Sequence, residues 1–507
     1  MRRFSVFIIV PLVFAVIVGA APASANVGTK CTKVGQVNKK YSTVCTRVGK
    51  TLKWVKRTGS GSTGSGSAGS SGASGGSSSL QLGTSCSGSG TYSWSSGALL
   101  TCKSGKAAYA LPTDLPAAPT GGYTTRPSWY PTLSQIMLAG KSEPTCAPTS
   151  IRFTSPIVPN DKLAPSIPYG MAVSDHVTPI DHAYLGITAL GIPAANRTEA
   201  DYVNVMAPGD GTITELSSLG SSSSNRVVID HGCNLISVFM VLNRPSGVLA
   251  DAYSKLNGGS LSLNISVKAG QVIGQQRDNP LDYNVFDGTS WLRGFASPAS
   301  YLTGETWKPY TADYLPFFSG ETRDRMEAVL QRTASPRIGK IDHDVAGSAA
   351  GNWFLRGTFG YSGQSLATYS GAARPVDFGA VAGKNSYAWS HLAIVPHEVD
   401  TSKWVFSIGW HTNQAGDPRQ FLLLVGAGQP EPNRLTVAAG VVVYDIAEIS
   451  RSSEFGRAAG STEPHPVGYT ISAGRRVDSV ALQVNGDGSL SLQFGTTLGA
   501  EKRTYDR

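Results

Sequence analysis

Not one acidic residue occurs between Met1 and Thr113, although that stretch holds thirteen Lys and Arg. The net charge of +9 is therefore local: subtracting those thirteen leaves −4 for residues 114–507 (+9 minus +13). A positive field confined to one end favours anionic partners. Long apolar runs are missing after residue 21, so no membrane-spanning segment is expected in a mature chain. The six cysteines include no C-x-x-C pair, which excludes a zinc ribbon. There is no P-loop, and no G-x-G-x-x-G stands between a strand and a helix. The one G-x-S-x-G, Gly72 to Gly76, lies inside a Gly/Ser run with no strand before it, so it cannot form a nucleophile elbow. His397-Glu398 lacks the second His that a metalloprotease helix requires.

Turning to what is present, Arg2 and Arg3 precede an apolar run from Phe4 to Ala21 that ends in Ala23-Ser24-Ala25. This is the pattern of a secretory signal peptide over 1–25, cleaved after Ala25. The expected location is secreted or associated with the cell surface. An exported basic segment meets wall polymers before nucleic acid, so the expected partner is murein or an anionic wall polymer, and nucleic acid is not expected.

An even cysteine count in an exported chain implies disulfides. Spacing makes Cys31–Cys45, Cys86–Cys102 and Cys146–Cys233 the simplest pairing. The first two pairs mark a repeat, because Val27-Gly28-Thr29-Lys30-Cys31 matches Leu82-Gly83-Thr84-Ser85-Cys86. Units of this size cannot build an adequate core alone, and a disulfide is the expected staple. The expected order is a basic cysteine-loop module over 26–57, a Gly/Ser linker over 58–79, a second module over 80–113 and a Pro-rich connector over 114–145. Such a layout suggests binding modules tethered to a larger body.

A β domain is expected over 146–305. Its strands are read at Thr212–Leu216, Arg226–Asp230, Leu235–Leu242 and Asp282–Asp287, with a turn and a short strand over Val267–Gly274. In order, "APGDGTI", "VVIDHG", an aromatic-apolar strand, "VKAGQVIG" and a last strand are similar to the lysostaphin-type murein endopeptidases. The resemblance implies an antiparallel β framework with one zinc at an end of the sheet. Such a site needs three protein ligands and an open water position. The family takes its ligands from an H-x-x-x-D segment and from the second His of an H-x-H on the last strand. Here His176 and Asp181 have one residue too many between them, and His182 adds a third candidate ligand. The last strand offers Asp282 and Asn284 in place of H-x-H, and Val241 stands where a catalytic His belongs. His176, Asp181 and His182 are thus the candidate metal ligands, and Asp282, Asn284 and His231 the candidate binding residues. His231 is equally read as a turn histidine bonded locally. No catalytic residue is assigned, and zinc is expected only if the peptidase reading holds.

A connector with a short helix, Glu321 to Leu330, is expected over 306–336, and a β-sandwich or barrel over 337–507. Val480, Leu482 and Val484 alternate with polar residues, Asn485-Gly486-Asp487-Gly488 turns the chain, and Leu490, Leu492 and Phe494 alternate on the return. Gly351-Asn352-Trp353 resembles the G-x-W that opens lipocalin-type barrels, which would imply a cavity for a small apolar ligand. The fold class expected is mainly β and multi-domain. Two functions follow: a cell-envelope binding or scaffold protein with an inactive peptidase-like domain, or an active zinc endopeptidase acting on murein peptides.

Overall fold

The computed structural model describes residues 37–38, 43–48, 51–56 and, from 80 to 507, all but 89, 96, 120, 139–145, 222, 368, 370, 372–386, 412–418, 452, 455–456 and 459–470. The expected signal peptide, the Gly/Ser linker and the Cys31–Cys45 bridge lie outside the described residues. The chain divides into two units, Met1–Ser78 and Ser79–Arg507. In the first, β1 (Val37–Asn38), β2 (Thr43–Val48) and β3 (Thr51–Lys56) form an antiparallel ribbon in sequential order.

The second unit is β-rich throughout. It opens with β4 (Tyr92–Ser95), β5 (Ala98–Lys103) and β6 (Lys106–Tyr109), a three-stranded sheet tied by the Cys86–Cys102 disulfide. The middle region contributes β7 (Leu163–Ile167), β8 (Ala183–Ile187), β9 (Val203–Met206), β10 (Gly211–Ser221), β11 (Ser224–Asp230), β12 (Leu235–Leu242) and β13 (Arg244–Pro245). It continues with β14 (Ser260–Val267), β15 (Val272–Gln276), β16 (Leu281–Asp287) and β17 (Thr311–Ala312). These build an antiparallel sheet in the order β14-β10-β11-β12-β16-β8-β7, with β17 beside β16, and a small sheet β13-β15-β9. Strand β14 at the sheet's edge alternates four polar with four apolar residues, a pattern not read from sequence.

The large sheet buries both faces, which suits the nearly unbroken apolar run of β12. Leu235 and Phe239 face the main core together with Val227, Ile229, Tyr283 and Val285. Ile236 and Val238 face the opposite way, with Val228 and Phe286. That second face is covered by the chain's own preceding segment: Trp129, Tyr130 and Leu133, with Leu99 of the disulfide module. Burying each of these side chains contributes about 1.5–3 kcal/mol. Module and connector alike belong to the body, because the sheet's outer face is apolar and needs a cover.

Helix α1 (Leu133–Met137) ends this strap. Its Thr132 Oγ1 accepts from Gln135 N, and Gln135 Oε1 accepts from Thr132 N, a reciprocal cap. Beyond it, Cys146 is bonded to Cys233, as the spacing suggested. Two further helices, α2 (Ala250–Ser254) and α3 (Gly320–Val329), follow. The second matches the helix expected from Glu321.

The last region is a closed antiparallel barrel of eight strands. They are β18 (Gly351–Leu355), β19 (His391–Pro396), β20 (Trp404–Ile408), β21 (Arg419–Leu424) and β22 (Val442–Arg451), then, after the ribbon β23 (Ser453–Glu454) and β24 (Arg457–Ala458), β25 (Ile471–Val484), β26 (Leu490–Phe494) and β27 (Arg503–Asp506). Strand β27 pairs back onto β18, so no edge is left open. The interior is filled by side chains including Trp353, Phe406, Tyr444 and Leu482. Outside the barrel, Val395, Val405 and Leu422 lie against Ile167, Met171 and Ile180 of the middle region. Among the described residues, no helix is long and apolar enough to cross a membrane.

Candidate functional site

The sequence singled out residues on three stretches, and the fold brings two of them together. Strand β8 pairs with β16 so that Tyr184 lies opposite Asp282 and Ala183 opposite Tyr283. This places the turn before β8, which holds His176, Asp181 and His182, against the first residues of β16. Asp282 and Asn284 point to the strap-covered face, as do their neighbours across β12, Met240 and Val238.

The cluster is buried: Asp181, His182, Asp282 and Asn284 are 5%, 3%, 6% and 1% exposed. His182 sits between two carboxylates, with Nδ1 at 3.2 Å from Asp181 Oδ1 and Nε2 at 3.5 Å from Asp282 Oδ2. The second contact lacks hydrogen-bond geometry and acts as an ion pair alone. The other oxygen of Asp181, Oδ2, accepts from Trp307 Nε1 at 2.8 Å. The neighbouring Lys308, also buried, donates to Pro179 O at 2.8 Å and pairs with Glu305 at 2.8 Å. The His176 ring stands edge-on to that of His182, with centroids 5.8 Å apart.

Electrostatics follows from this enclosure. Burial pushes the Asp282 carboxyl up to about 7, against a smaller pull from His182. Burial would lower His182, but Asp282 and Asp181 outweigh it and hold the imidazole above its usual value. Burial likewise acts to raise Asp181, yet the His182 hydrogen bond and the charges of His182 and Lys308 keep it below the usual carboxylate range. His176 is pushed down to about 3 by burial, helped by the positive charges of His182 and Lys308. Asp282 and Asp181 thus bias the His182 imidazole toward its charged form.

This donor set does not fit a hydrolytic zinc. Both Asp181 oxygens already accept hydrogen bonds, and both His182 nitrogens face carboxylates. Asn284 offers an amide, and a buried ammonium stands close by. Among the described residues no three His, Cys, Asp or Glu are grouped so as to hold a metal ion. Val241 has φ +58, a left-handed backbone that a β-branched residue adopts only under strain.

His231 does not join the cluster. Its Nε2 pairs at 2.8 Å with Ser237 Oγ, its Nδ1 pairs at 2.8 Å with Asp210 O, and its ring rests on Phe153. Ser237 faces the main core, so His231 lies on the other face of the sheet from Asp282 and Asn284. The residues that sequence reading missed are Glu305, Trp307 and Lys308. They lie more than 120 positions downstream of Asp181, and only the folded chain brings them near. A glutamate and a lysine at i and i+3 beside a tryptophan carry no motif that would have found them.

No family model matches the chain, and neither does any curated protein. Among solved structures, the solution structure of lysostaphin is similar at a TM-score of 0.20 and 10% identity, covering 70% of this chain and 96% of that chain.

Proposed function

We propose that this chain is a secreted binding or scaffold protein of the cell envelope, whose middle region keeps a peptidase-like β framework without its chemistry. The observation that carries the reading is the state of Asp181, His182, Asp282 and Asn284. Where a murein peptidase needs open metal ligands and a water, this chain has a closed ion-pair network roofed by Trp307. Hydrolysis needs a Lewis acid or general base within reach of a substrate. A group less than a tenth exposed and bonded on both sides reaches none. The disulfides support an oxidising compartment outside the cytoplasm, and the acid-free amino-terminal stretch supports an anionic wall partner.

Metal analysis of the purified chain, with a murein-release assay run with and without chelator, tests this. The expected result is less than about a tenth of a zinc per chain and no release, since a closed site has no open coordination position. Stoichiometric zinc that is lost in His176→Ala, together with chelator-sensitive release, overturns it.

A further inference from the structure

At the far end of β16 from Asp282, the strand runs out into a cleft of about 330 Å³. Its apolar wall is formed by Trp291, Pro316 and Phe317, and its polar rim by Asp287, Ser290 and Asp313. The Trp291 ring is held in place by edge contacts to Tyr130 at 5.2 Å and to Tyr310 at 5.6 Å. Two polar atoms of lining residues, Trp291 Nε1 and Thr311 Oγ1, are buried and make no hydrogen bond among the described residues.

We infer that this cleft binds one pyranose ring of a wall glycan. The choice of glycan rests on the envelope-binding reading above; the choice of a sugar rests on the cleft. No basic residue lines it, so an anion finds no partner there. A cation is a poor match too. Asp287 already spends Oδ1 on Thr289 N and Oγ1, both at 2.7 Å, and Oδ2 on Ser290 Oγ at 3.0 Å. Asp313 spends one oxygen on Leu315 N at 2.8 Å. A sugar hydroxyl both donates and accepts, and the C–H face of its ring suits an indole wall. The volume lies at the small end for ligand pockets, enough for a single ring.

Titration of the full chain with chitotetraose, followed by tryptophan fluorescence and by calorimetry, tests the inference. Saturable binding with a Kd on the order of 0.1–1 mM is expected for one shallow ring site. Trp291→Ala should weaken it at least about tenfold. Because Trp291 also packs on Tyr130 and Tyr310, Asp313→Ser at the exposed rim serves as a second variant. It keeps a capping oxygen for Leu315, shortens the reach to the ligand, and should weaken binding about fivefold, one hydrogen bond's worth. No binding by the wild-type chain, equal binding by a folded Trp291→Ala and by Asp313→Ser, or capture of a lysine tripeptide instead of the sugar overturns the cleft. Retention on purified walls, measured in parallel, separates the two readings. Retention without chitotetraose binding defeats the cleft alone, whereas chitotetraose binding without retention supports the cleft and defeats the envelope role.

Discussion

Asp282 shows how enclosure turns one side chain into a pH-dependent liability. Strand β16 carries this carboxyl on the face that the strap covers, where it is only 6% exposed. Burial raises its pKa to about 7, so the folded chain binds its proton more tightly than the unfolded chain, whose carboxyl titrates near 3.8. The sign follows directly. Below pH 3.8 both states are protonated and the group is neutral in effect. As pH climbs from 3.8 to 7 the unfolded chain releases the proton first, and stability is lost. Asp282→Asn removes the titration. The variant should match the wild type near pH 4 and exceed it by about 2–4 kcal/mol at pH 8. Urea midpoints at both pH values check this. An advantage that does not grow with pH means that Asp282 is ionised without penalty, stabilised by His182 more than its enclosure indicates.

The first barrel strand shows what a three-residue signal can and cannot say. Gly351-Asn352-Trp353 gave only a weak resemblance in sequence, yet each member has a structural task in β18. Trp353 is buried in the barrel, its Nε1 donates to Ala349 O at 2.9 Å, and the Arg507 guanidinium lies 3.8 Å from its ring centroid. Gly351 has φ +130, and a Cβ there would lie 2.4 Å from Asp344 Oδ1 and 2.7 Å from its Cα. Gly351→Ala should therefore destabilise by about 2–4 kcal/mol, from backbone strain and overlap together. Gly488 also has positive φ, but nothing lies within 4 Å of its Cβ position. Gly488→Ala should cost only about 1 kcal/mol. Equal losses in the two variants, read from denaturant midpoints at unchanged slope, remove the steric account. The contrast explains what was legible. The hairpin from Val480 to Phe494 and the strands around His231 were readable because a period of two and glycine turns are local signals. Strands β7 and β8 were not read, because Pro165 and Gly186 interrupt their patterns. The His176 to Asp282 cluster was half legible: the motif supplied its first members, but Trp307 and Lys308 join it only through tertiary contact.

For the second unit as a whole, the question is what keeps the strap on the sheet. The strap contributes apolar burial through Trp129, Tyr130 and Leu133, and it is fastened near α1 by Ser134 Oγ donating to Asn234 Oδ1 at 3.2 Å. Asn234 belongs to a turn in which Cys233 and Asn234 both have positive φ, and Cys233 is bonded to Cys146 just beyond the strap. One disulfide thus fixes the chain on both sides of the place where strap and sheet meet. It closes a loop with a sequence separation of 87, against 16 for Cys86–Cys102. On loop-closure entropy the long bridge stabilises by about 4–5 kcal/mol and the short one by about 3. The Cys146→Ser, Cys233→Ser double variant should therefore lose more stability than the Cys86→Ser, Cys102→Ser pair. It should also speed amide exchange in α1 and shift tryptophan emission to the red as Trp129 meets water. The barrel should unfold in the same transition, because Val395, Val405 and Leu422 share a core with Ile167 and Ile180. Calorimetry of the Ser79–Arg507 unit with both bridges intact decides that point. Two resolved transitions would make the barrel an independent body, and loss of the long bridge would then loosen the sheet and its strap while leaving the barrel's melting temperature where it was.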